Sequence, residues 1–462
     1  MNESITISEQ VHQEFSVRAS LAGLGVQLRR QKVLEPLAAH VKIAQKTVKY
    51  TPLEKLQDGL LAILAGAHGV VEINKRVRAD RALQVAFGRE GCAEQSVVQD
   101  TLDACTTENV IQMQAALDEI YRRQSQGYRH DYEQALQVLD IDTDGRPCGR
   151  KAALATKGYF ARRPNRRGRQ EGYVLATHYE EIVVKQLFCG TTQLTTALQP
   201  LVEAAEQTLD LTPEKRQHTL LRFDAGGGSV GDVNWLLGRG YQVHGKDYSG
   251  NRAETVAESV LEWSDDPRNP GRQVGWVTAE TNLYSRPLQR IAARCPKKNG
   301  QWAVAVILSS LSPEQVLALT GQPLERSQDP QAVLFAYVYL YDLRGGGVET
   351  EIKEDKHGLG TAHRNKKRFA GQQMLCQLEV LAHNLLIWAR TSLASFAPKL
   401  AKLGLLRLVR DALQVSGLIV FSPAVSIQKI ILNPRDPLAK DLQAALASLL
   451  AQDNVAVTLG ET

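Results

Sequence analysis

The sequence predicts an α/β protein with a mixed-sheet core, interrupted by a β-rich insertion and flanked by a helical N-terminal domain and a helical C-terminal region. Three observations support this prediction. Apolar residues recur at helical spacing before residue 130, short apolar strands alternate with helices over 136–247, and a strand-rich stretch precedes a helical pattern from about 349. A chain of 462 residues is also long enough for several packed units.

The N-terminal region carries helix signals. Thr51-Pro52-Leu53-Glu54 is a capping box with proline at the first helical position, and an apolar stripe from Leu56 to Leu64 follows it. Further amphipathic helices are predicted after Glu94 and over 108–124. These helices suit either a helix-turn-helix module or an ordinary helical bundle.

The segment 136–247 predicts the order β-β-β-α-β-α-β, which indicates a mixed sheet. The elements, in chain order, are LQVLDIDTD from 136, strands over 171–178 and 182–189, a helix over 200–210, a strand over 218–226, the helix DVNWLLGRG and the strand YQVHGKD.

Residues 250–340 predict an insertion that contains the strands WVTAETNLYS, QWAVAVILSS and QAVLFAYVYLYDLR, with Pro and Gly between them. A long helix is predicted over 372–394. The tail then predicts a helix, the short strands GLIVFS and KIILN, and a last helix.

Composition excludes several classes of protein. Six cysteines without a CxxC pair argue against a zinc site or a disulfide framework and indicate reduced thiols. No apolar run is long enough to span a membrane, and the polar N-terminus lacks the order of a secretory signal, so we expect a cytoplasmic protein with no membrane partner. The net charge is only +5, but basic residues cluster at 28–32, 75–81, 157–170 and 363–368, which suits a polyanion.

The first acidic motif is Asp140-Ile141-Asp142-Thr143-Asp144, whose three aspartates share one face of a strand and suit Mg²⁺. An EF-hand loop is rejected because Lys151 stands where that loop needs glutamate. An aspartyl-phosphate phosphatase fits poorly, since Asp144 stands where that family has Thr or Val. A divalent-metal nuclease site and a purely structural strand end remain open.

Two further motifs combine acids with glycine. Asp224 ends an apolar strand before Gly226-Gly227-Gly228, and the absence of a following Gly-Lys-Ser/Thr excludes a Walker phosphate loop. Downstream, Tyr341 and Arg344 precede three glycines and then Glu349, which begins an acid-rich helix with Lys353 and Lys356 on the face of Glu349. Taken alone, these motifs also suit an ordinary strand-to-helix turn and a solvated charged helix.

Together, the ordered motifs resemble the DDE transposases of bacterial insertion sequences, which have an RNase H-like catalytic core. More narrowly, they resemble the cut-and-paste group with a β-rich insertion before the glutamate and a Tyr-x-x-Arg-x-x-x-Glu-(x)₆-Lys signature. Tyr341, Arg344, Glu349 and Lys356 match it, except that four residues rather than three separate Arg344 from Glu349. The resemblance covers roughly residues 55–395.

The resemblance implies that Asp142, Asp224 and Glu349 bind two Mg²⁺ ions, for which Mn²⁺ could substitute, and carry out cleavage and strand transfer. It implies that the partners are double-stranded DNA, namely terminal inverted repeats and target DNA, and a second copy of the chain in a homodimer. The host would be bacterial, and the DNA-bound protein would be associated with the nucleoid. The predicted DNA-binding residues are Tyr341, Arg344, Lys353, Lys356, Arg162, Arg163, Arg166 and Arg167. A tryptophan of the insertion, Trp276 or Trp302, could stack on a displaced base, although core packing is the simpler role for either.

The predicted domains are a helical DNA-binding region (1–130), the first part of the RNase H-like core (131–249), the β-rich insertion (250–340), the second part of the core (341–396) and a C-terminal region (397–462). Two other functions remain open. One is a phosphohydrolase with Asp140 as nucleophile, and the other is a catalytically silent DNA-binding protein derived from a transposase.

Overall fold

The computed structural model describes residues 12–158, 160 and 166–461. By its internal contacts the chain divides into two compact units. Unit 1 comprises the chain up to residue 124 together with 151–153 and 353–462, and unit 2 comprises 125–150 and 154–352. The predicted Arg162 and Arg163 lie outside the described residues.

The helices and strands are numbered in chain order. Up to residue 124 they are β1 (His12–Ser16), α1 (Ala19–Arg30), α2 (Glu35–His40), α3 (Pro52–Leu64), α4 (Ile73–Arg76), α5 (Arg81–Ala86), α6 (Gln95–Ala104) and α7 (Thr107–Gln124). The central segment contains β2 (Gln137–Pro147), β3 (Thr156–Lys157), β4 (Arg167–Ala176), β5 (Glu181–Cys189), α8 (Leu194–Leu209), α9 (Pro213–Gln217), β6 (Thr219–Phe223), α10 (Val230–Gly238), β7 (Gln242–Lys246), α11 (Gly250–Ala257), β8 (Ser264–Asp265), β9 (Gln273–Trp276), β10 (Gln289–Pro296), β11 (Trp302–Ser309), α12 (Pro313–Leu319) and α13 (Pro330–Gly346). The remaining elements are α14 (Val348–Gly358), α15 (Phe369–Ala394), α16 (Leu405–Arg407), β12 (Gly417–Phe421), β13 (Ile427–Leu432), α17 (Ala439–Leu450) and β14 (Ala456–Leu459).

Unit 2 is organised around one mixed sheet. In the described residues its strand order is β3-β4-β2-β6-β7-β11-β10-β9-β8, with β5 also paired to β4. The pairs β2–β4 and β4–β5 are antiparallel, whereas β2–β6 and β6–β7 are parallel. The predicted β-β-β-α-β-α-β order of the first part of this unit is confirmed except for two short elements that were not predicted, β3 and α9.

The outer strands of unit 2 continue this sheet, because β11 pairs antiparallel with β7. The stretch QAVLFAYVYLYDLR is not a strand, and that prediction is wrong. It forms helix α13, whose N-cap residue Asp329 accepts hydrogen bonds from the amides of Gln331 (3.0 Å) and Ala332 (3.1 Å), with Pro330 in the first turn. Its β-branched and aromatic residues favoured a strand, but Val333, Tyr337 and Leu340 recur at helical spacing and are buried.

Unit 1 is mainly helical, as predicted for the N-terminal region, and α15 runs through its core. Every residue from Met374 to Ile387 is buried, and most of them are apolar, as expected for a helix surrounded by other elements. The capping box at the start of α3 is confirmed, since the Thr51 hydroxyl accepts from the Glu54 amide and the Glu54 carboxylate accepts from the Thr51 amide. No described helix is long and apolar enough to cross a membrane.

A small sheet of order β1-β12-β13-β14 lies in the described part of unit 1. The strands β12 and β13 were predicted from GLIVFS and KIILN, whereas β1 and β14 were not. β14 is four residues long and pairs parallel with β13, and the two strands are separated in the chain by α17. Such a short strand carries little periodicity of its own, so only the fold reveals it.

Candidate active site

Asp142 and Asp224 come together through strand register. Ile141 of β2 pairs with Phe223 of the parallel strand β6, and each aspartate follows immediately. Side chains at equivalent positions on neighbouring strands point to the same face of a sheet. The two carboxylates therefore share one face at the point where β2 and β6 separate. β2 itself continues beyond Asp142 to Pro147, alongside β4.

The glycine-rich turn after Asp224 permits this arrangement. Asp224 accepts a 2.8 Å hydrogen bond from the amide of Gly226, which holds one carboxylate oxygen at the start of the turn. A Cβ atom at Gly228 would lie 1.7 Å from the carbonyl oxygen of Lys246. Any other residue at Gly228 would push the turn away from the end of β7, so glycine permits a close backbone approach here.

Arg344 links Asp142 to Glu349. Its guanidinium lies 2.9 Å from an oxygen of Asp142 and 3.0 Å from an oxygen of Glu349, and it also donates to the carbonyl of Ile141. The Arg344 side chain is buried, whereas that of Glu349 is 58% exposed. The extra residue between Arg344 and Glu349 does not keep their side chains apart. Between the two residues the chain passes from α13, which ends at Gly346, to α14, which begins at Val348. We call Asp142, Asp224, Glu349 and Arg344 the acid site.

The acid site concentrates negative charge around Asp142. Burial raises the pKa of Asp142 to about 6; Arg344 opposes this rise, and the nearby carboxylates of Asp224 and Glu349 add to it. A divalent cation would relieve this repulsion, and carboxylate oxygens are the ligands that Mg²⁺ prefers. The two aspartates fit such an ion by position and chemistry. Among the described residues, however, the oxygens of the three acids do not all lie within 4.8 Å of one another, because Arg344 stands between Asp142 and Glu349.

Helix α13 covers the acid site with Tyr341. The Tyr341 ring is half-buried, and burial raises the pKa of its hydroxyl to about 12. The Nζ atom of Lys246 lies 4.5 Å from the ring centroid, and the ring of His244 lies 6.3 Å away. The sequence motifs did not point to Lys246. Its position as the last residue of a strand beside Asp224 was the available signal.

A second polar row lies two residues further back on the same strands. Asp140 is fully buried, and both of its oxygens are bound by Arg222 of β6, at 2.6 and 2.8 Å. Arg222 also donates to the carbonyl of Leu340 in α13, and the Thr177 hydroxyl donates to Asp140. Asp140 thus anchors α13 to the sheet through Arg222.

The other predicted DNA-binding residues are not among the four residues of the acid site. Lys353 (exposed) and Lys356 (half-buried) lie on α14, one and two turns after Glu349. Arg166 and Arg167 lie at the start of β4. Asp142 pairs with Tyr173 of β4, and Arg167 lies six residues before Tyr173. At the usual rise of a strand, Arg167 is therefore about 20 Å from Asp142.

Several residues of the basic clusters have structural roles. Arg30 pairs with Asp453, Arg76 with Glu72 and Arg81 with Glu14. In the cluster at 363–368, Arg364 and Lys366 are buried and donate to the carbonyl of Ala67 and to Gln99, respectively. These clusters therefore offer fewer cations to a polyanion than the sequence indicates.

The two tryptophans considered for base stacking differ in exposure. Trp276 packs edge-on against Tyr337 at 5.7 Å and donates to the carbonyl of Pro330, so it belongs to the core of unit 2. Trp302 is 39% exposed and lies against the guanidinium of Arg294. Core packing thus accounts for Trp276 but not for Trp302.

Comparison with known proteins gives few relatives. No protein-family model matches the chain, and no curated protein matches it. Among solved structures, the chain is similar to one described as the cryo-EM structure of a piggyBac transposase synaptic complex with hairpin DNA, at a TM-score of 0.42 and 12% sequence identity. The similarity covers 87% of this chain and 83% of that one.

Proposed function

We propose that this chain is a DDE-type DNA transposase, which cleaves DNA at transposon ends and joins them to target DNA. The observation that carries the proposal is the pairing of Asp142 and Asp224 on adjacent parallel strands, with Arg344 joining Asp142 to Glu349. These are the residues that the ordered sequence motifs select. The strand order β5-β4-β2-β6-β7, antiparallel in its first three strands and parallel in the rest, supports an RNase H-like core.

In this proposal Asp142 and Asp224 hold divalent cations and Glu349 completes the set of ligands. Bound Mg²⁺ or Mn²⁺ would supply activation of the attacking hydroxyl and stabilisation of the leaving oxygen. Arg344 has a separate role, because its buried guanidinium keeps Asp142 and Glu349 close despite their like charges. Tyr341 lies close to the acids and borders one side of the site.

Phosphodiester chemistry is favoured over phosphohydrolase chemistry at Asp140. That carboxylate is fully buried, and both its oxygens accept hydrogen bonds from Arg222, so neither oxygen is available to attack a substrate. The silent DNA-binding alternative differs from the proposal only in activity, which a cleavage assay decides.

The test uses Asp142→Asn, Asp224→Asn and Glu349→Gln. Each substitution is expected to reduce nicking of duplexes carrying the inverted repeats that flank the gene to background with Mg²⁺ or Mn²⁺. Binding of the same duplexes, measured by gel shift, should remain close to wild type, because a carboxylate contributes nothing favourable to phosphate binding. Asp265→Asn is the matched control, since Asp265 is an exposed acid of unit 2 in β8, outside the acid site.

Full cleavage by any one of the three variants would remove that residue from the proposed metal site. A folded wild-type protein that binds these duplexes but never nicks them would contradict the proposed activity and favour the silent alternative.

A further inference from the structure

Lys246 belongs to the same row of side chains as the two aspartates. Gly245 of β7 pairs with Phe223 of β6, and Phe223 pairs with Ile141 of β2. The next residue on each of these parallel strands is Lys246, Asp224 or Asp142, respectively. A cation therefore stands beside Asp224 on the side away from Asp142.

The Lys246 ammonium has no protein acceptor of its own. In the described part of the chain, no carboxylate oxygen lies within 4.0 Å of Nζ, and Nζ donates no hydrogen bond. Its contact is the face of the Tyr341 ring, 4.5 Å away. Asp342, which also attracts Lys246, already binds Arg272, at 2.9 Å for one of their contacts.

This arrangement leaves the three donors of the Lys246 ammonium available to an anion. The Lys246 side chain is half-buried, so its charge is only partly desolvated. Burial accordingly lowers the pKa of Lys246. A purely structural lysine would be expected to bind the nearby carboxylates directly, as Arg272 binds Asp342.

We propose that Lys246 binds a phosphate group of the DNA strand held at the acid site. The proposal rests on the proposed function, because it takes the ligand of the acid site to be a phosphodiester. A lysine ammonium binds phosphate as a compact point charge, and the face of Tyr341 holds the side chain beside Asp224. Lys246 would thus neutralise one phosphate while the acids hold cations.

The test compares variants that differ in charge at this position. Lys246→Met keeps the apolar stem and removes the charge, Lys246→Gln is a second neutral variant, and Lys246→Arg retains the charge. Lys215→Met is the matched control. Its ammonium also lies over a tyrosine ring, 5.5 Å from the Tyr132 centroid, but Lys215 precedes β6 and so lies at the opposite edge of the sheet from Asp224.

The first measurement is the salt dependence of duplex binding, with Ca²⁺ held constant and NaCl varied. Loss of one phosphate contact should reduce the slope of log K against log[salt] by about 1. We expect that reduction for Lys246→Met and Lys246→Gln, and a wild-type slope for Lys246→Arg and Lys215→Met. Thermal unfolding checks that each variant is folded. An unchanged slope in both folded neutral variants overturns the inference.

The second measurement is the rate of nicking with Mg²⁺. Loss of a charge that stabilises the reacting phosphate should slow nicking about 100-fold in Lys246→Met, with substantial recovery in Lys246→Arg. Nicking of Lys246→Met at the rate of Lys215→Met would overturn a contact with the reacting phosphate. A wild-type protein that binds DNA but never nicks it contradicts the proposed function, while the salt slopes still decide whether Lys246 binds phosphate.

Discussion

At the scale of single residues, Gly347 shows how closely the helix junction approaches the buried Asp140. A Cβ atom at Gly347 would lie 2.6 Å from an oxygen of Asp140 and 3.0 Å from a methyl carbon of Thr177. By contrast, a Cβ at Gly345, within α13, would meet no atom within 4 Å. The three glycines between Arg344 and Val348 are therefore not equivalent, although their sequence context offers no reason to distinguish them.

Gly347→Ala is expected to destabilise the protein by about 1–3 kcal/mol, since the buried ion pair beneath it must shift. Gly345→Ala should instead stabilise it by up to about 1 kcal/mol, because alanine favours a helix over glycine. Urea unfolding of the two variants measures the difference. Equal free energies of unfolding for the two variants would show that the junction between α13 and α14 accommodates the added methyl group without loss of stability.

At the scale of elements, α13 is the helix that brings Tyr341 and Arg344 to the sheet. Its position depends on Arg222, which joins Asp140 of β2 to the carbonyl of Leu340, one turn before Arg344. The side chains of Asp140 and Arg222 are 0% and 3% exposed, so the pair is sealed from water. Breaking such a pair costs more than replacing both partners with apolar residues.

Asp140→Leu alone should destabilise the protein by about 3–5 kcal/mol, because it leaves the Arg222 charge buried without its carboxylate. The double variant Asp140→Leu/Arg222→Met should recover much of that loss, since it removes both charges. Chemical denaturation of the wild type, the two single variants and the double variant gives the coupling energy. Additive losses would mean that the two side chains act independently.

At the scale of the whole molecule, unit 2 carries an internal source of acid sensitivity. His244 is fully buried on β7, donates to or accepts from Ser309 at 3.0 Å, and stacks on Tyr337. Burial and the neighbouring Arg222 lower the pKa of His244 to about 3. In the unfolded chain the His244 ring binds a proton as the pH falls through about 6.5, whereas in the folded chain it does so only at far lower pH.

The free energy of unfolding should therefore fall as the pH drops from about 6.5 towards 3, by up to about 1.4 kcal/mol per pH unit from this one group. His244→Asn lowers stability at neutral pH by loss of packing, but it should make the fall between pH 6.5 and 5 shallower. Urea midpoints at several pH values measure both effects. A variant with the wild-type pH slope would rule out His244 as the source.

The sequence by itself determined the local elements and the identity of the acids. Periodicity and capping predicted the strands and helices of 136–247 and the start of α3, because those signals lie within a few residues of each other. The same kind of local signal, Asp329 followed by Pro330, also marks the start of α13, but strand-forming side chains outweighed it in the prediction.

Only the tertiary structure decided which side chains meet. Asp140 and Asp142 are two residues apart and similar in sequence context, yet strand pairing places Asp140 against Arg222 of the neighbouring strand and leaves Asp142 at the acid site. The row formed by Lys246, Asp224 and Asp142 depends on the register of three parallel strands that come from separate parts of the chain. Register is fixed by burial of the whole sheet and not by any local pattern, which is why the sequence could not supply it.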